Sequence, residues 1–149
     1  MATLVEPGLL DTNILVYATN RDAQNHHACR QLLERAVARE ISAYLAPQIL
    51  YEYFAVVTSA RQLTTPLSIA DAAADVERLR VTLPMIHATP ATIGQAMGLL
   101  RTLGRSGKQV FDLVLVATMF ENGLSTIFTY DEQFATVPGI VALKPEKVA

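Results

Sequence analysis

Gly8-Leu9-Leu10 runs without a break into Asp11-Thr12-Asn13, and an apolar segment, Ile14-Leu15-Val16-Tyr17, resumes at once. A short apolar run of this kind reads as a buried strand. Asp, Thr and Asn are all good helix N-caps, so the stretch predicts a strand-to-helix junction. In an open α/β sheet, sites form at the carboxyl ends of strands. Asp11 is then either a carboxylate at a site edge or a plain capping residue, and the choice depends on whether other carboxylates join it.

Three more acids stand out, two of them because the chain avoids charge around them. Glu52 is the only charge in Ile49-Leu50-Tyr51-Glu52-Tyr53-Phe54-Ala55-Val56-Val57, within a helix expected over 48–61 after Pro47. Such a helix is buried on most sides, and a buried carboxylate is costly unless paired or bound to a metal. A salt bridge or a solvent-facing slot is the plainer account. Asp112 is the only charge between Lys108 and Glu121, at the start of a helix that is apolar on nearly every side. The helix dipole favours an acid there too. Asp131 follows the β-rich run Leu124–Thr129 and places a further carboxylate just past a strand end.

If the four converge, their mutual repulsion is severe without a cation. All-oxygen ligands favour a hard divalent ion, Mg²⁺ or Mn²⁺, over zinc. Such an ion lowers the pKa of a bound water and orients a phosphodiester for in-line attack.

The rest of the chain supplies helices and few competitors for chemistry. Amphipathic helices are expected over 26–40, with Ala28, Leu32, Leu33, Ala36 and Val37 on one face, and over 68–83, where Ser68 and Asp71 fit a capping arrangement. Pro90 opens another over 91–103, with Ile93, Ala96, Met97, Leu100 and Leu103 inward and Met97 in the core. Short strands are expected at 41–46, 84–88 and 139–143, and 144–149 reads as a tail. Adjacent His26 and His27 cannot face one way on a helix, so they read as a solvated pair. Ser106-Gly107-Lys108 lacks the rest of a phosphate-binding loop, which leaves a basic connecting loop. No nucleophile elbow or dinucleotide fingerprint is present, and Cys29 has no activating setting.

Composition bounds the classes. A chain of 149 residues fits one domain with a sizeable core. A formal net charge of −2 with no run of like charge argues against a broad electrostatic binder of nucleic acid or membrane. One cysteine suits a reducing compartment. Met1 to Gly8 shows no signal-peptide pattern and no apolar stretch reaches membrane-spanning length, so the expected location is the cytoplasm, with no membrane partner.

Leu9-Leu10-Asp11-Thr12-Asn13-Ile14-Leu15, then Glu52 after Pro47, then Phe111-Asp112-Leu113, then Thr129-Tyr130-Asp131-Glu132-Gln133-Phe134, resemble the ordered motifs of the PIN-domain family. More narrowly, the chain resembles VapC-type toxins of bacterial toxin–antitoxin pairs. The resemblance runs from about Leu9 to Leu143, which makes residues 1–149 a single domain. It implies an α/β fold with a central parallel sheet flanked by helices, an acidic Mg²⁺ site, and endoribonuclease activity by metal-activated water, leaving a 5′-phosphate. It also implies a homodimer and a VapB-like antitoxin. Carried over, Asp11, Glu52 and Asp112 are the core metal-binding carboxylates and Asp131 the fourth. Gln133 stands where relatives often have an acid. Thr12, Asn13 and Thr129 orient carboxylates or water, with capping as the competing account. Arg61, Arg101, Arg105 and Lys108 are the candidates for RNA contact. The rival readings are a non-catalytic PIN-fold binding module, a receiver-like phosphoacceptor domain, and a metal-dependent nuclease of DNA or RNA processing outside a toxin system.

Overall fold

The computed structural model describes residues 4–148. Four short strands, β1 (Gly8–Leu10), β2 (Ala43–Tyr44), β3 (Thr126–Phe128) and β4 (Val141–Leu143), form one wholly parallel sheet in the order β2-β1-β3-β4. The register pairs Leu9 with Tyr44 on one side and with Ile127 on the other, and Ile127 in turn with Ala142. Leu9, Leu10, Ile127 and Phe128 are completely buried. Parallel strands covered on both faces read as unbroken apolar runs, and that is how β1 and β3 stand in the sequence.

Six helices connect the strands. They are α1 (Thr12–Thr19), α2 (His26–Val37), α3 (Pro47–Val57), α4 (Ile69–Thr82), α5 (Pro90–Leu103) and α6 (Gln109–Glu121). From β1 the chain passes to β2 on one side, and later returns to β3 on the other. The switch point of the sheet therefore lies at the carboxyl ends of β1 and β3. Asp11 follows β1 directly, and its N–H extends the pairing by donating to the Phe128 carbonyl at 3.0 Å.

Local chemistry explains the helix ends. Pro47 and Pro90 open α3 and α5 in the first turn, where a missing N–H costs nothing. The Ser68 hydroxyl accepts from the Asp71 N–H and caps α4. Gly123 closes α6 at φ +73°, a conformation only glycine adopts freely.

Some expectations change. α3 stops at Val57 instead of near residue 61, and the chain turns away there, with the Ser59 N–H donating to the Val56 carbonyl at 3.1 Å and the Leu63 N–H to the Ser59 carbonyl at 3.0 Å. The expected strand at 84–88 is reduced to one bridge, Leu45 to Met85. Met97 is not core: it is 44% exposed and Ile93 66%. α5 buries Thr92 and Ala96 and half-buries Leu99, Leu100 and Leu103. That face is turned by about one position from the expected stripe. Nor is His26 simply solvated, since its Nδ1 bonds the Tyr17 carbonyl at 2.8 Å. The tail expected over 144–149 contains a 3₁₀ turn, Pro145–Lys147. No helix among the described residues is long and apolar enough to cross a membrane.

Candidate active site

Asp11 is 7% exposed and is the most enclosed of the four acids. It caps α1, with Oδ1 accepting from the Thr12 N–H at 2.8 Å. Its Oδ2 accepts from the Thr129 hydroxyl at 2.7 Å and from Asn13 Nδ2 at 3.2 Å. Capping and site roles are thus combined in one carboxylate. Burial raises its pKa, helped by the charges of Glu52 and Asp131. The hydrogen bonds from Thr129 and Thr12 oppose the rise.

Thr129 sits just past β3 and is itself buried. Its hydroxyl donates to Asp11 and accepts from Asn13 Nδ2 at 3.2 Å and from the Asp131 N–H at 2.9 Å. Asn13 Oδ1 accepts from the Tyr130 N–H at 3.3 Å. These bonds tie the start of α1 to the end of β3. Asp131 Oδ1 accepts from the Gln133 N–H at 2.9 Å and caps a 3₁₀ turn, Glu132–Thr136.

Glu52 projects from α3. Its Oε2 accepts from the Thr12 hydroxyl at 2.8 Å and its Oε1 from Gln48 Nε2 at 2.9 Å. The salt bridge that would account for it plainly is absent among the described residues. Asp112 lies in the first turn of α6 but makes no capping bond. It is half-buried, and its carboxylate accepts no hydrogen bond from any described residue. Burial pushes its pKa up to about 6, with the charges of Asp131, Asp11 and Glu52 adding to the rise and Arg105 opposing it.

The fold thus brings the four acids of β1, α3, α6 and β3 within electrostatic reach of one another. Among the described residues, no three His, Cys, Asp or Glu side chains already converge as a set of metal ligands. The residues nevertheless suit a hard divalent cation. Every donor is a carboxylate oxygen, the acids repel one another, and the Asp112 carboxylate has no competing bond from a described residue.

The four basic candidates separate. The Arg105 guanidinium donates to the Thr136 hydroxyl and its charge is felt at Asp112. Lys108 is exposed at the start of α6. Arg61 and Arg101 are exposed, and neither side chain has a hydrogen bond or ion pair with a described residue. Gln48 was not foreseen. Its signal is the i,i+4 spacing to Glu52 on one helix.

A cavity of about 740 Å³ lies elsewhere. Leu15, Thr19, His26, Tyr53, Asp75 and Arg78 are among its lining residues, and none of the four acids is. The Tyr53 hydroxyl bonds Thr19 at 2.9 Å and donates to Asp75 at 3.0 Å.

A parallel α/β sheet with a cluster of carboxylates at its switch point is the architecture of a PIN domain. The PIN domain family model matches residues 8–140, and the chain belongs to that family. Among named relatives, it is 30% identical over 137 residues to Ribonuclease VapC48 of Mycobacterium tuberculosis (strain CDC 1551 / Oshkosh), covering 87% of this chain and 91% of that protein. The fold is shared with VapC20 of Mycobacterium tuberculosis, described as a Sarcin-Ricin loop cleaving toxin. That match has a TM-score of 0.69 and 18% identity, over 92% of this chain and 98% of that one. DNA-bound VapBC from Salmonella typhimurium matches with a TM-score of 0.67 and 19% identity, over 95% and 99%.

Proposed function

We propose that the chain is a single nuclease domain: a Mg²⁺-dependent endoribonuclease, the toxin of a VapBC-type pair, acting in the cytoplasm. The observation that carries this is the coupling of Asp11, Glu52, Asp112 and Asp131 at the sheet's switch point, with the Asp112 carboxyl lifted to about 6 and accepting no hydrogen bond from a described residue. The 30% identity to a ribonuclease over most of both chains supports RNA as the substrate.

In this reading the four carboxylates hold the cation. Bound there, Mg²⁺ (or Mn²⁺ in its place) supplies a water of lowered pKa and positive charge against the scissile phosphodiester. Thr129 and Asn13 fix Oδ2 of Asp11, and Thr12 fixes Oε2 of Glu52, so the acids are oriented before substrate arrives. Arg105 and Lys108 offer positive charge beside Asp112 for a neighbouring phosphate. The bond cleaved leaves a 5′-phosphate on the product. A VapB-like antitoxin and a second copy of the chain are the partners the reading assigns, after the VapBC complexes whose fold it shares.

The test is cleavage of a mixed RNA pool by purified, antitoxin-free protein, with Mg²⁺, with EDTA, and with Asp11→Asn or Asp112→Asn. Cutting is expected only with Mg²⁺ and the intact acids. Folded protein that neither cuts RNA nor binds Mg²⁺ or Mn²⁺ by calorimetry overturns the reading.

A further inference from the structure

Glu52 is linked to both of the other acid-bearing helices. Thr12, next to Asp11, holds Oε2 at 2.8 Å, and Gln48 holds Oε1 at 2.9 Å. The same Gln48 Nε2 lies 3.5 Å from the carbonyl of Phe111, the residue that precedes Asp112 on α6. An amide nitrogen carries two hydrogens, so both bonds form at once, the second as the longer and weaker of the two.

We propose that Gln48 is a positioning residue that fixes Glu52 relative to Asp112 and thereby sets the affinity of the acidic cluster for a divalent cation. This rests on the nuclease reading above. Three features of this chain support it.

The first is placement. Gln48 stands one turn before Glu52 and directly after Pro47, whose ring restricts the backbone at the start of α3. The second is completeness. With Thr12 on one oxygen and Gln48 on the other, Glu52 loses the rotational freedom that a long carboxylate side chain otherwise keeps. The third is charge. Lys or Arg at this position would also donate, but would neutralise the acid. A neutral amide orients Glu52 and leaves its negative charge for a cation.

The experiment uses the full chain with Gln48→Leu and, as a second variant of similar shape, Gln48→Met. Both remove the donor and keep the helix-forming character. Mn²⁺ binding is followed by calorimetry, thermal unfolding is followed in EDTA, and RNA cleavage is measured as separate kcat and KM. The Mn²⁺ dissociation constant should rise about 10-fold or more, the range seen when partners that orient metal ligands are removed. kcat should fall while KM for RNA holds, and unfolding in EDTA should stay near wild type. Variants that bind Mn²⁺ as tightly as wild type overturn the proposal. So does a lowered unfolding temperature in EDTA with unchanged Mn²⁺ affinity, which would make Gln48 a packing link between α3 and α6. Wild-type protein that neither binds Mn²⁺ nor cuts RNA overturns the nuclease reading itself, a result distinct from either.

Discussion

Asp112 carries a cost that the other acids share out through hydrogen bonds. Folding lifts its pKa to about 6, against about 4 for a free carboxylate. Between those values the folded protein holds the proton more tightly than the unfolded chain. Stability therefore falls as pH rises from about 4 to 6, and the penalty is complete above that window. Asp112→Asn removes the penalty. In EDTA at pH 8 this variant should melt at a higher temperature than wild type, with the difference shrinking towards zero near pH 4, even as cleavage is lost. Such opposition of stability and activity is common where an active site is electrostatically strained. Thr129→Val has the opposite sign. It takes one of two donors from Oδ2 of Asp11 and strands the Asp131 N–H, costing about 1–3 kcal/mol in denaturant unfolding, whereas Thr129→Ser keeps the hydroxyl. Glu52 and Asp112 were legible in the sequence as lone charges in apolar helical segments, and Asp11 and Asp131 as carboxylates just past strand ends. The hydroxyls and amides that hold them were less so. Asn13 and Thr129 suit a cap as well as a site, and only the tertiary approach of β3 to α1 makes them bond one carboxylate. Gln48 carries no charge and sits in an ordinary first helical turn, so nothing in the sequence marks its link to Glu52 apart from the spacing.

Among the glycines, Gly8 in β1 has the least room. A Cβ on Gly8 would stand 2.8 Å from the Phe128 ring and 3.0 Å from the Thr126 carbonyl. Phe128 is fully buried and the carbonyl belongs to the neighbouring strand, so neither yields cheaply. Gly8→Ala should cost about 1–3 kcal/mol by overpacking, and weaken cleavage through the displaced carboxyl end of β1. Gly94→Ala on α5 meets nothing within 4 Å and should gain about 0.5–1 kcal/mol from helix propensity. Urea unfolding of the two variants reads both signs in one assay. Element type and order were legible, since buried strands and amphipathic helices leave different periods. The face of α5 was not. Ile93 and Met97 fit an inward stripe as well as Thr92 and Ala96 do, and contact with α6 selects the second set. The segment at 84–88 failed as a strand for a similar reason. Its only β-bridge among the described residues is to Leu45, and a single bridge does not make a ladder.

For the whole molecule, the net charge of −2 means that any grip on RNA is local. The acidic cluster itself repels phosphate, so binding should tighten when Mg²⁺ is supplied to the full chain. Of the four basic candidates, the charge of Arg105 is felt at Asp112, and Lys108 begins the helix that carries it. Two phosphate contacts on a single strand correspond to a slope of about −1.4 in log affinity against log salt. Fluorescence anisotropy of a labelled single-stranded RNA, at fixed Mg²⁺ with the cleavage-deficient Asp112→Asn variant, measures that slope. Added to that variant, Arg105→Ala or Lys108→Ala should each reduce it by about 0.7. Arg61→Ala and Arg101→Ala should leave it unchanged, because neither charge bears on Asp11 or Asp112. A slope nearer −3 that falls with Arg61 or Arg101 would mean that RNA runs over a wider surface than the switch point of the sheet. The site would then be one station on a longer track.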